Sequence, residues 1–201
     1  MQINVVMFDL GGVLVDVDNE RLVSSLALLY RRTLAEVETR VFDSGLKHAF
    51  DSGRLTPDAF HQAVSDALER SDVDGARFAA TWCDIFTERH GTTALLPGLA
   101  TKVKLLVGSN TDPLHASFLR DTHRWTDCFA EAWLSFEAGV CKPEVAFWQG
   151  ALEHFGHAPE EVLFLDDRPE NVASAALLGL RTVHVSDETS ALAGLAYFGL
   201  L

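Results

Sequence analysis

Five short runs dominated by apolar residues, at 2–10, 103–109, 130–135, 162–165 and 181–185, stand out along the chain. Most of their members are β-branched or aromatic, and they lack clean alternation with polar positions, which is how strands buried on both faces of a parallel sheet read. Between them the apolar spacing becomes helical: at 113–124; at 144–155, with Val145, Phe147, Trp148, Ala151, Leu152 and Phe155; and at 170–178, stopped by Gly179. This alternation predicts an α/β fold, a doubly wound and mostly parallel sheet of Rossmann-like kind.

The interval between the first two runs breaks the rhythm and reads as helices alone. Leu22, Val23, Leu26, Leu29 and Tyr30 make one apolar stripe; Ala59, Phe60, Ala63, Val64, Ala67 and Leu68 make another. The second stripe has a start signal, with Thr56 as cap, Pro57 in the first turn and Asp58 at the positive end of the dipole, while Gly53 ends the helix before it. The expected organisation is a core of residues 1–15 and 92–201 carrying a small helical cap inserted at 16–91.

Charge narrows the function. Against 16 basic side chains stand 29 acidic ones, a formal net charge of −13, so the surface repels nucleic-acid backbones and anionic lipid. Neither a secretion signal nor a membrane span is legible, and a cytoplasmic protein, monomer or homodimer, is expected. Cys83, Cys128 and Cys141 lack metal-ligand spacing and read as reduced thiols. His154 and His157 find no third ligand and read as helix-surface residues. The segment 192–201 is apolar enough to dock on the core or on a partner.

In open α/β sheets ligands bind beyond the carboxyl ends of the strands. There the sequence places Asp9-Leu10-Gly11-Gly12, Ser109-Asn110-Thr111, Lys142-Pro143 and Asp166-Asp167. Each has an ordinary use: Asp9, Ser109 and Asn110 in turns, Lys142 as a solvated side chain, Asp112 and Asp167 as caps of helices opening at Pro113 and Pro169. One arrangement accounts for all four strand ends together. Carboxylates sharing a pocket at neutral pH need a raised pKa or a cation, and an oxygen-only donor set suits Mg²⁺. The cation offsets the repulsion between a carboxylate nucleophile and a phosphoryl group, while Ser109 and Lys142 donate to the phosphoryl oxygens.

These four pieces, in this order, resemble the motifs of the haloacid dehalogenase-like hydrolases: Phe8-Asp9-Leu10-Gly11-Gly12-Val13-Leu14, Gly108-Ser109-Asn110-Thr111, Lys142-Pro143 and Phe164-Leu165-Asp166-Asp167. The likeness runs from about residue 3 to residue 187 and is nearest to small bacterial sugar-phosphate phosphatases, of the glucose-1-phosphate type, with a helical cap. It implies a Mg²⁺-dependent phosphatase acting on a small phosphorylated metabolite through an aspartyl phosphate. Asp9 would be nucleophile and metal ligand, the Gly11 carbonyl and Asp167 further ligands, Asp166 a ligand through water, and Ser109, Asn110 and Lys142 the phosphate holders.

Two departures stand beside the likeness. Many phosphatases of the family carry an aspartate acid and base two residues after the nucleophile, where this chain has Gly11; Asp16, Asp18 or a substrate-bound water is left to supply the proton, or turnover is slow. The path from Pro97 to Ser109 leaves barely one helical turn, so one face of the sheet is expected to be thinly covered. Two other readings are weighed: a 2-haloacid dehalogenase, against which the Asp166-Asp167 pair argues, and a catalytically silent phospho-ligand binder, for which Gly11 argues.

Overall fold

The computed structural model describes residues 3–201, so Gln2, the expected start of the first strand, lies outside the described residues. Among the described residues seven strands form: β1 (Val5–Phe8), β2 (Val15–Val17), β3 (Phe86–Glu88), β4 (Lys104–Ser109), β5 (Glu131–Leu134), β6 (Val162–Asp166) and β7 (Arg181–His184). The five expected from the apolar runs make one parallel sheet in the order β5-β4-β1-β6-β7, with β1 at its centre.

Alternate residues of these strands feed two different cores, which is why the runs are apolar at nearly every position. Val6, Phe8, Leu105, Val107, Leu163 and Leu165 face one side, where Leu96, Leu99, Trp125, Ala191 and Leu195 pack on them. Val5, Met7, Leu106, Val162 and Phe164 face the other, against Phe147, Trp148 and Ala151 of the helix Val145–Phe155 and Ala175 of the helix Pro169–Leu177. Each such side chain contributes about 1.5–3 kcal/mol by leaving water.

The segment before β4 is as short as expected, a single turn at Leu96–Leu99. The face is nevertheless covered, because the helix Glu188–Tyr197 lays Ala191 and Leu195 on it and Leu200 follows. The apolar C-terminal segment therefore docks on its own sheet.

Residues 19–83 form the helices Asn19–Tyr30, Leu34–Val37, Leu46–Asp51, Pro57–Ala67 and Gly75–Cys83, with a π turn at Glu38–Phe42. They enclose an apolar cluster of their own, centred on Tyr30, Phe50, Phe60, Phe78 and Trp82, in which Phe50 and Phe60 stack at 4.1 Å. Thr56 caps its helix as expected, accepting from the Ala59 N–H at 3.2 Å. The interval is not helices alone, however. β2 and β3 pair antiparallel, Val15 opposite Glu88 and Val17 opposite Phe86, so a two-stranded ribbon leads into and out of the helices. Three-residue strands whose partners lie about seventy positions away leave no periodicity for a sequence to display. No helix among the described residues is long and apolar enough to cross a membrane.

Candidate active site

The register of the sheet assembles the site. Phe8 lies level with Val107 of β4 and Leu165 of β6, so the next residue along, Asp9, comes level with Gly108 and Asp166. The Asp9 N–H donates to the Leu165 carbonyl at 2.9 Å, which carries the pairing one residue beyond β1. Ser109 closes β4 one position further on, and Lys142 reaches in from the loop after β5. All four strand ends expected from the sequence therefore meet at one edge.

Lys142 is the hub of this cluster. Its side chain is fully buried, with Nζ 2.6 Å from Asp166 Oδ2, 3.0 Å from Asp9 Oδ1 and donating at 2.9 Å to the Gly108 carbonyl. It is not a solvated residue ahead of a helix. An ammonium so placed is tolerated only because three oxygen partners replace its water. The Leu10 N–H adds a 2.7 Å bond to the same Asp9 oxygen. Burial pushes the Asp9 carboxyl up to about 7; Lys142 pulls it back down, Asp166 adds to the rise, and Lys142 and Ser109 hydrogen bonds oppose it.

Asn110 has both ends of its amide occupied. Nδ2 donates to the Lys142 carbonyl and Oδ1 accepts from the Lys142 N–H, each at 2.8 Å. The side chain ties the end of β4 to the lysine loop.

Asp166 is fully buried, accepting from the Arg168 N–H at 2.8 Å and from Asn171 Nδ2 at 3.0 and 3.1 Å. Asp167 is partly exposed; burial and then the neighbouring Asp166 raise its pKa against the opposing pull of its own N–H, Lys142 and Arg168. It does not cap the helix opening at Pro169, since the oxygen bonded at that helix start belongs to Asp166. Asp112 does cap its helix, through Leu114 and His115 N–H groups at 3.0 Å.

Asp9, Asp166 and Asp167 can each turn one oxygen to within 4.8 Å of the others, the one such acidic group among the described residues. Gly12 shapes the space beside them. Its φ is +67°, and a Cβ there would lie 2.3 Å from the Asp167 carboxyl carbon, so only glycine lets the loop pass so close. Directly after β3, Arg89 donates to the Gly12 carbonyl through Nη1 and to Asp16 through Nε at 2.7 Å, which fastens the loop to the ribbon.

A cleft of about 490 Å³ opens over this edge, walled on the sheet side by Asp9, Gly11, Asn110, Lys142 and Asp167 and on the helical side by Asn19, Lys47 and Asp51. A second, more enclosed chamber of about 110 Å³, sharing Gly11, Asn19 and Asn110 with the cleft, lies between Leu10, Val17, Leu22, Phe86 and Ser109. The sequence reading missed Asn171, Lys47 and Asp51. The one trace available was the rarity of Lys47, one of four lysines, four positions from an aspartate on an amphipathic helix.

Comparison with known proteins identifies the family. Residues 3–179 match the haloacid dehalogenase-like hydrolase family. A D-ribitol-5-phosphate phosphatase of Bacteroides thetaiotaomicron is 26% identical over 187 residues, 88% of this chain and 89% of that protein. A sesquiterpene phosphatase of Aspergillus oryzae is 28% identical over 185 residues, covering 90% and 89%. Among solved structures, a haloacid dehalogenase family enzyme of B. thetaiotaomicron in complex with magnesium and inorganic phosphate superposes with a TM-score of 0.84 at 25% identity, over 94% of this chain and 98% of that one. The chain belongs to the haloacid dehalogenase-like hydrolases.

Proposed function

We propose that this hydrolase is a Mg²⁺-dependent phosphatase of small phosphorylated polyols or sugars. The observation that carries the reading is the convergence of Asp9, Asp166 and Asp167 around the buried Lys142 at the ends of adjacent parallel strands. Such a concentration of acid fits a hard divalent cation, and Asn171 Oδ1, buried with no hydrogen-bond partner, is a further oxygen bordering the cleft. Asp9, Asp167 and the Gly11 carbonyl would hold the ion, with Asp166 behind them. When bound, Mg²⁺ neutralises carboxylate charge and the charge of an incoming phosphoryl group.

The chain's own residues supply the rest. Lys142 and the Ser109 hydroxyl donate to phosphoryl oxygens, the Asn110 amide holds Lys142 in place while its backbone borders the phosphate, and an Asp9 oxygen attacks phosphorus. The resulting aspartyl phosphate is then opened by water. The cleft favours a compact hydroxyl-rich leaving group, because its walls carry Asn19, Lys47, Asp51 and Arg89.

The test is turnover of p-nitrophenyl phosphate with and without Mg²⁺, in the wild type and in Asp9→Asn. Metal-dependent release of nitrophenol that Asp9→Asn reduces to background supports the reading. Turnover that persists in the variant, or that ignores the metal, refutes it.

A further inference from the structure

Gly11 has no side chain, so the proton an alkoxide leaving group needs must come from elsewhere. Both acids the sequence offers, Asp16 and Asp18, are exposed to solvent. Asp18 accepts from the Arg21 N–H at 2.8 Å as cap of the helix Asn19–Tyr30. Asp16 is held by Arg89 at 2.7 Å, toward solvent, with 58% of its side chain exposed. The helical side of the cleft presents a third carboxyl. Asp51 is the last residue of the helix Leu46–Asp51, its side chain is 18% exposed, and it lines the same cleft as Asp9, Asn110 and Lys142.

Asp51 is also the best fixed of the three. Ser135 Oγ donates to the Asp51 carbonyl at 2.6 Å and accepts from the Thr111 N–H at 3.0 Å. Thr111 lies two residues beyond Ser109, so one hydroxyl pins the Asp51 backbone to the loop that carries the phosphate holder. The turn that follows is equally close, since a Cβ on Gly53 would lie 2.0 Å from the Phe136 carbonyl oxygen. The carboxyl itself is held by Lys47 Nζ at 2.5 Å from Oδ1.

Resting on the phosphatase reading above, we infer that Asp51 is the general acid and base of this enzyme, standing in from the helical side for the carboxyl absent at Gly11. In the first half-reaction a bond forms between the Asp9 carboxylate oxygen and phosphorus as the bond from phosphorus to the leaving oxygen breaks. That oxygen takes the Asp51 proton and departs as an alcohol. In the second, a water oxygen bonds to phosphorus, its proton passes to the Asp51 carboxylate, and the Asp9 acyl-phosphate bond breaks to release phosphate. No oxidant or co-reactant is needed, and the charge state of both aspartates is restored. The environment suits the role: burial raises the Asp51 pKa and the nearby Asp112 adds to it, which together outweigh the pull of Lys47 and His115.

The experiment compares aryl and alkyl phosphates in wild type, Asp51→Asn and Asp16→Asn. A positioned acid is worth roughly 10²–10⁴-fold when the leaving group is a poorly acidic alcohol and little when it departs readily as an anion. Wild type should show a shallow dependence of the chemical step on leaving-group acidity, and Asp16→Asn should keep it. Asp51→Asn should lose at least about 100-fold more on an alkyl phosphate than on the nitrophenol burst rate, with burst amplitude counting the competent sites. A steep dependence already present in wild type, equal losses on both substrates in Asp51→Asn, or a steep dependence created by Asp16→Asn instead would overturn the inference while leaving the phosphatase reading intact. Absence of any Mg²⁺-dependent wild-type turnover would overturn both.

Discussion

Asn110 and Lys142 hold one another by reciprocal hydrogen bonds, Nδ2 to carbonyl and N–H to Oδ1, each 2.8 Å long. The amide therefore works on the lysine rather than filling the space where a phosphoryl group would rest. A brace of this kind matters through position, and displacement of a charged group by about 1 Å can cost on the order of 10²-fold in rate. Asn110→Ala should raise KM for an aryl phosphate and lower kcat together, by about one to two orders of magnitude in kcat/KM. Steady-state kinetics that leave kcat/KM unmoved would make the brace irrelevant to catalysis.

Lys142 carries stability as well as chemistry. Its removal strands two buried carboxyls, Asp9 and Asp166, without their cation. Breaking a buried pair on one side costs about 3–5 kcal/mol. Lys142→Met should lower the urea midpoint of the metal-free protein accordingly, and adding Asp166→Leu to it should recover part of the loss. A Lys142→Met midpoint equal to wild type would mean that the lysine contributes nothing to the folded state.

Magnesium affinity should depend on pH because of Asp9. Its carboxyl, raised to about 7 chiefly by burial, is protonated in the metal-free fold below that value, and coordination has to displace the proton. Affinity should thus fall by up to about tenfold per unit as pH drops below 7 and level off above it. Calorimetric titrations at pH 6, 7 and 8 check this; equal affinity at all three excludes Asp9 as a ligand. Asp167→Ala should weaken binding at every pH.

Acid should reveal Asp112. The group is wholly buried, and although burial works to raise its pKa, contacts with His115 Nδ1 at 2.9 Å and Lys47 Nζ at 3.9 Å hold it at about 2. A carboxyl whose pKa is lower in the fold than in the unfolded chain stabilises at pH values above about 4 and loses that contribution as pH falls toward 2. The stabilisation is on the order of 2 kcal/mol. Wild type should lose stability steeply between pH 4 and 2, and Asp112→Asn, weaker at pH 7, should lose much less across that window. Parallel curves for the two proteins would remove Asp112 from the account of acid unfolding.

Gly12→Ala should fold poorly or lose Mg²⁺ binding, because the added carbon meets Asp167 at 2.3 Å with φ at +67°. Normal Mg²⁺ affinity in a folded Gly12→Ala would show that the loop can relax without disturbing Asp167.

The parts legible in the sequence were those whose signal is local. β1 is buried at every position, so its run was unmistakable, and the chemistry-bearing residues were found because they directly follow strands. Hidden were relationships that only the register and the return of the chain create. The pairing of Val15 with Glu88 and the pinning of Asp51 by Ser135 join positions whose sequence neighbourhoods carry no mark of one another. Asp166 and Asp167 offer the same chemistry one position apart, and the ordinary use of Asp167 as a cap is excluded only by the strand geometry that turns Asp166 inward.

The helices over the cleft are attached to the sheet twice, covalently through the ribbon and again where Ser135 grips Asp51 and where Trp82 Nε1 donates to Asp112 at 3.0 Å. These fastenings brace the helices against the sheet, so the roof over the phosphate stands largely in place before a ligand arrives. Binding then forgoes part of the ordering cost that a loose lid would impose. Amide exchange in residues 46–51 should accordingly be as slow in the ligand-free protein as with phosphate bound; marked protection appearing only with phosphate would mean that the roof moves after all.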